Sequence, residues 1–240
     1  MSILLNKLHN RFAFLRRRIE KKLVHDTHAL NLFRACHQHN PDILKQQSIA
    51  DTRFVVLDTE TTGFHAYSGD EVIDIAMVEL EGLKPTGRSF QSYVNPQRSI
   101  PPESTRIHHL TDQDVRDAPV FEQILPDVLG FIDNGVLVGH HISFDIRFIN
   151  KALQKCCHGQ LRSPWVDTML LFLEHRGQIG HYTLEEVAQK CQVEIKDRHS
   201  AEGDARATAE IFIQLVAKLA SMQDTVDRLV RSQYEIRSKL

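Results

Sequence analysis

Residues 53–63 read RFVVLDTETTG. Phe54, Val55, Val56 and Leu57 make a short apolar run rich in β-branched side chains, which predicts a buried strand. Asp58 and Glu60 close that run. Alternate residues of an extended chain project to one face, so both carboxylates can reach a single site. Downstream, EVIDIAMVEL at 71–80 predicts a second strand, and RSFQSYVNP at 88–96 a third that Pro96 ends. The short link at 82–87, with Gly82, Pro85 and Gly87, favours an antiparallel meander. Then the period changes. APVFEQILPDVLGFIDN at 118–134 reads as a helix and GVLVGHH at 135–141 as a fourth, buried strand. Helical segments follow: SFDIRFINKALQK from 143, VDTMLLFLEHR from 166, TLEEVAQKC from 183 and GDARATAEIFIQLVAKLA from 203. Thr183 with Glu186 forms a capping-box signature for the third of these. The expectation is an α/β domain over residues 51–220, a mixed sheet covered by helices.

The flanks differ from this core. Within residues 1–50, Leu4, Leu8, Phe12, Leu15, Ile19 and Leu23 form one apolar helical stripe. Lys7, Arg11, Arg16, Arg17, Arg18, Lys21 and Lys22 occupy much of the remaining surface. His39-Asn40-Pro41-Asp42 is expected to end the helical stretch, because Pro41 disfavours helical geometry at Asn40. This basic helical extension carries nine Lys/Arg against three Asp/Glu, whereas residues 51–220 carry sixteen against twenty-five. A basic arm on an acidic body suggests two jobs, and such blocks often bind nucleic acid or a membrane surface. No Gly or Pro follows Gly203, so the last core helix is free to run on through a helical tail at 221–240. Leu215, Leu219, Met222, Val226, Leu229, Ile236 and Leu240 follow a coiled-coil spacing, with Gln233 in the one gap. A protein partner or self-association through residues 1–50 or through this C-terminal helix is one reading. A helix packed on its own domain is the simpler one.

Hydrophobic content of 42% and charged content of 25% are ordinary for a globular protein. Cys36, Cys156, Cys157 and Cys191 show no framework spacing, which fits a reducing compartment and argues against a zinc cluster. The N-terminus lacks a basic segment followed by a long apolar stretch, and no run approaches the roughly 18 apolar residues of a membrane span. A cytoplasmic location is therefore expected.

Three further residues join Asp58 and Glu60 as candidates for chemistry. Asp145 follows the strand VLVG and opens a helix, Asp204 lies near the first turn of an alanine-rich helix, and His199 precedes it by five residues. Singly, each has a plain structural role: strand-end acids are exposed, and acids at helix N-termini suit the macrodipole. His140 and His141 read equally well as plain core or surface histidines and as site residues. Together, four converging carboxylates would repel, and burial would raise their pKa values. A pair of divalent cations resolves the conflict, and hard oxygen donors suit Mg²⁺ or Mn²⁺. Two such ions can clamp a phosphodiester while a histidine beside them takes the proton from the attacking water.

The segments VVLDTETTG, RIHHLTDQDV, APVFEQIL, LVGHHISFD, VDTMLLF, YTLEEVA and HSAEGDARAT occur in this order between Arg53 and Ala220. They resemble the DEDDh 3′→5′ exonucleases, and within that superfamily they look most like the epsilon proofreading subunits of bacterial DNA polymerase III. The resemblance implies a ribonuclease-H-like fold. It implies Asp58, Glu60, Asp145 and Asp204 as ligands of two divalent cations, and His199 as the general base. The five-residue step from His199 to Asp204 fits the histidine subtype. The sister subtype has tyrosine four residues before the last aspartate, where this chain has Ser200. By the same resemblance, backbone around Thr61 and Thr62 approaches the terminal nucleotide. Family members often carry asparagine where this chain has His141, a departure that bears on substrate preference rather than on metal binding. The implied activity is release of nucleoside monophosphates from single-stranded 3′ ends, DNA favoured. An RNA-trimming enzyme would share this chemistry and differ only in how it meets the 2′-hydroxyl. A non-catalytic adaptor would be expected to lack one or more of the five site residues, and all five are present.

Overall fold

Strand β1 (Arg53–Thr61) lies at the centre of the sheet in the computed structural model, which describes residues 15–239. Its alternating side chains serve two helical layers. Phe54 and Val56 pack with Val78, Leu80, Phe172, Phe212 and Leu215, whereas Val55 and Leu57 pack with Leu125, Phe148, Ile149 and Leu153. Strand β2 (Val72–Glu81) runs antiparallel to β1, with Asp58 opposite Ala76 and Glu60 opposite Asp74. Strand β3 (Lys84–Tyr93) pairs antiparallel with β2 at the outer edge. On the other side β4 (Val136–Gly139) and β5 (Trp165–Asp167) add in parallel, giving the order β3-β2-β1-β4-β5. The helices are α1 (Thr27–Ala35), α2 (Pro41–Gln46), α3 (Pro102–His108), α4 (Asp112–Val115), α5 (Phe121–Ile132), α6 (Ser143–Cys157), α7 (Thr168–Arg176), α8 (Leu184–Cys191), α9 (Ala201–Leu219) and α10 (Val226–Arg237), and residues 15–23 are also helical. This is the mixed sheet flanked by helices that the sequence predicts, in a ribonuclease-H-like arrangement.

Several details depart from the sequence reading. The β2–β3 hairpin turns at Gly82, in the left-handed region at φ 58°, so β3 starts at Lys84 rather than 88. Pro85 is tolerated within it because β3 is an edge strand and needs fewer ladder donors. Residues 166–167 belong to a fifth strand, and helix begins only at Thr168, capped by the Asp167 carboxylate. A strand of three residues is too short to leave a periodic signal.

The last core helix does not run on. It ends at Leu219, Ala220 turns extended, and the Asp224 carboxylate accepts the Ser221 N–H at 2.9 Å. Ser48 bridges Thr225, and α10 folds back with Val226, Leu229 and Val230 buried. Gln233, the polar gap in the heptad spacing, is also buried. Its side-chain carbonyl accepts the Asp167 N–H at 2.9 Å, and its amide donates to the Trp165 carbonyl at 2.7 Å. That covers the open edge of β5.

At the other end, Asp26 caps α1, and Leu32 and Phe33 are buried in the layer formed with α5 and α6. Of the N-terminal stripe, Leu23 is buried, Ile19 is partly buried and Leu15 is half exposed. Leu4, Leu8 and Phe12 lie outside the described residues. Asn40 keeps the extended geometry expected before Pro41 but caps the start of α2, with Pro41 at its first position. Among the described residues, no helix is long and apolar enough to cross a membrane.

Candidate active site

The register of β1 decides where the carboxylates go. Asp58 and Glu60 continue the face of Phe54 and Val56, so they point toward the layer that contains α9. That helix comes close because Ala76, Ala201 and Ala205 are small and pack together. Ser200 caps α9, its hydroxyl accepting the Gly203 N–H at 3.1 Å, and the Asp74 carboxylate accepts the Ala201 N–H at 3.2 Å. Asp204 is thereby set in the first turn of α9, 2% exposed. Glu60, His199 and Asp204 each offer a ligand atom within 4.8 Å of the others, a group able to hold a metal ion. Thr59 projects from the opposite face and reaches α6, where its hydroxyl donates to Asp145 Oδ1 at 2.6 Å. The structure thus brings both helix-borne aspartates to the end of one strand.

Withdrawal from water pushes all four carboxylates above their ordinary range. Asp58 is raised well above it by burial and then by Asp145, Asp204 and Glu60. Glu60 is pushed up to about 8 by burial and by Asp204. Burial takes Asp145 to about 7, against the Thr59 hydrogen bond. Burial takes Asp204 to about 6, against the pull of Arg198. Asp204 Oδ1 is buried and has no hydrogen-bond partner among the described residues. An orphaned carboxylate oxygen among three further acids and an imidazole fits a hard divalent cation.

Asp58, Glu60, His199 and Asp204 line a cleft of about 550 Å³, whereas Asp145 is buried and is not among its lining residues. Thr61 lines it and donates its hydroxyl to the Gly63 carbonyl at 2.7 Å. Thr62 is buried instead, its carbonyl accepting from the Ser104 hydroxyl at 2.9 Å and its hydroxyl accepting the Glu71 N–H at 3.0 Å. His141 lines the cleft with φ 57°, its N–H on Asp167 Oδ1 at 3.1 Å and its ring 4.5 Å from that of His181. Both nitrogens of His140 are engaged, Nδ1 with the Thr168 hydroxyl at 3.0 Å and Nε2 with the Tyr182 carbonyl at 2.9 Å. Burial holds it down at about 4, a neutral strut.

Several cleft residues were not singled out from sequence. Arg198 contacts Asp204 Oδ2 through Nη1 and donates from Nε to Glu185 Oε1 at 2.7 Å. Burial pushes Glu185 upward, yet the Arg198 hydrogen bond and charge hold it at about 2. His108 is 5% exposed, accepts the Leu110 N–H on Nδ1 at 3.1 Å and leaves Nε2 without a partner among the described residues. Phe64, Ile107 and Phe144 supply an apolar rim. Adjacency to His199 was the available signal for Arg198, and the RIHHLTDQDV segment for His108.

The RNase T exonuclease family matches residues 55–212, a span that contains every site residue above. The chain belongs to that family. This exonuclease is 34% identical over 181 residues to the DNA polymerase III subunit epsilon of Aquifex aeolicus, covering 75% of this chain and 89% of that protein. Its fold matches Exonuclease X in complex with 5′ overhanging duplex DNA (TM-score 0.60, 22% identity), with 75% of this chain and 99% of the other covered. It also matches the nuclease domain of 3′hExo, a DEDDh family member, bound to rAMP (TM-score 0.63, 15% identity), covering 75% and 97%. At such identities the two structures establish a shared fold.

Proposed function

We propose that this exonuclease removes nucleotides one at a time from the 3′ end of single-stranded DNA, releasing nucleoside monophosphates. The observation that carries the reading is the convergence of Glu60, His199 and Asp204 within 4.8 Å, beside Asp58 and Asp145. Asp58, Glu60, Asp145 and Asp204 would hold two Mg²⁺ or Mn²⁺ ions, which when bound neutralise the phosphodiester and lower the pKa of the attacking water. His199 is the general base. Burial and then Arg198 lower its pKa, which keeps the ring neutral and able to accept a proton. Glu185, 4.0 Å from His199 Nε2, favours the imidazolium that forms. The water oxygen bonds to phosphorus, its proton passes to His199, the P–O3′ bond breaks, and O3′ takes a proton from solvent. Because His108 accepts on Nδ1, the proton of its neutral ring sits on Nε2, a buried donor in the wall of the cleft. Thr61 lies where the terminal nucleotide would seat, Phe64 and Phe144 offer an apolar wall for its base, and His141 stands at the mouth. The polymerase-subunit relative favours DNA over RNA.

Oligonucleotides labelled at the 3′ or 5′ end, in DNA and RNA of equal sequence, test this in Mg²⁺ or Mn²⁺. The expected result is immediate mononucleotide release from 3′-labelled DNA and a ladder from 5′-labelled DNA. Absence of metal-dependent shortening from the 3′ end would overturn the proposal, and faster loss of RNA would reassign the substrate.

A further inference from the structure

Arg198 sits where its charge is needed, on Oδ2 of the carboxylate whose other oxygen would take a metal ion. Its guanidinium contacts Asp204 Oδ2 on one side and Glu185 Oε1 on the other. The two partners differ in kind. Asp204 is buried in the acid cluster, whereas Glu185 is about half exposed on α8 and lies outside the group able to hold a metal. Asp204 without a cation would be a buried charge with no counter-ion, a strongly unfavourable arrangement. A divalent ion on the unpartnered Oδ1 of the same carboxylate would draw its charge away from the guanidinium on Oδ2 and repel it. The backbone of Arg198 cannot move far to accommodate this, because the Ser200 hydroxyl donates to the Asp197 carbonyl at 2.8 Å and Gly203 packs against the carbonyls of Lys196 and Asp197. Its side chain can move, since Glu185 retains it.

We infer that Arg198 is the internal counter-ion of the metal-free site: it occupies Asp204 until a divalent cation displaces it onto Glu185, and it thereby sets the metal affinity. The inference rests on the reading of Asp204 as a metal ligand. It makes Arg198 a positioning residue whose effect appears in metal binding, separately from turnover.

The test is Mn²⁺ binding to the full chain, followed by paramagnetic resonance of free Mn²⁺, with thermal melting alongside. R198Q should bind Mn²⁺ at least tenfold more tightly than the parent. R206Q removes the same charge two residues beyond Asp204, on an exposed side chain paired with Glu202, and should change affinity less than twofold. Metal-free R198Q should melt below the parent, and saturating Mn²⁺ should close that gap. R198K keeps the charge but loses the two-sided fork, and it should give a several-fold gain even if R198Q does not fold without metal. Affinity in R198Q no tighter than in R206Q, or weaker than the parent, would overturn the inference. D204N separates the two levels. Lost Mn²⁺ binding in D204N with a neutral R198Q defeats only the counter-ion, whereas undiminished binding in D204N defeats the metal-site reading and the inference with it.

Discussion

Asp145 depends on a residue that faces away from the other acids. Thr59 stands between Asp58 and Glu60 on β1, and its hydroxyl reaches across to Asp145 Oδ1 at 2.6 Å. Replacing Thr59 by valine preserves shape and removes the side-chain hydrogen bond to that oxygen. Losing one such hydrogen bond costs about 0.5–1.5 kcal/mol. Loss of a partner that orients a metal ligand typically costs about 10–100-fold in metal affinity or activity. T59V should therefore melt lower and need more Mn²⁺ for half-maximal activity, measured by metal titration of the turnover rate. Unchanged metal dependence would mean that Asp145 is fixed by α6 alone.

At the scale of elements, the site is made by how closely α9 approaches the sheet. Ala76, Ala201 and Ala205 permit the approach, and Gly203 lets the loop that carries Arg198 and His199 lie against the helix. A methyl group at Gly203 would fall inside contact distance of the Lys196 and Asp197 carbonyl oxygens, so backbone must shift. G203A should cost about 1–3 kcal/mol in stability, the usual penalty for overpacking. Activity should fall by about 100-fold at temperatures where the variant stays folded, because a base displaced by about 1 Å loses that much. Parallel melting and turnover measurements check this, and normal turnover in a destabilised G203A would separate His199 from the chemistry. The same scale explains what the sequence could show. Strand period placed Asp58 and Glu60 on one face, and helix starts placed Asp145 and Asp204. The aim of Arg198 and His108 depends on packing between elements distant in sequence, which no local pattern encodes. Strand β5 is too short to register, and the reversal at 220–225 uses an aspartate turn rather than glycine or proline.

Over the whole molecule, the acidic core becomes a statement about pH. An ordinary paired carboxylate has a lowered pKa and stabilises the fold as pH rises. Here the sign is reversed. Asp58, Glu60, Asp145 and Asp204 are all raised, three of them to between about 6 and 8. Between their unfolded values near 4 and these folded values, the folded chain binds more protons than the unfolded one. Stability of the metal-free protein must then fall as pH rises through that window. Asp74, pushed up to about 6 by burial, adds to the slope without facing the candidate ligands in the same role. Divalent cations act in the opposite direction, since they bind only deprotonated ligands and only the folded site, so their stabilisation grows as the acids ionise. Melting curves from about pH 5.5 to 8.5, with and without millimolar Mg²⁺ or Mn²⁺, should diverge progressively toward the alkaline end. Asp74 also enters the difference between the curves through its charge on Glu60, which lies opposite it across the β1–β2 ladder. Parallel curves would show that the carboxylates do not share a metal, and a divergence retained in D204N would assign the cation to some other part of the acidic body.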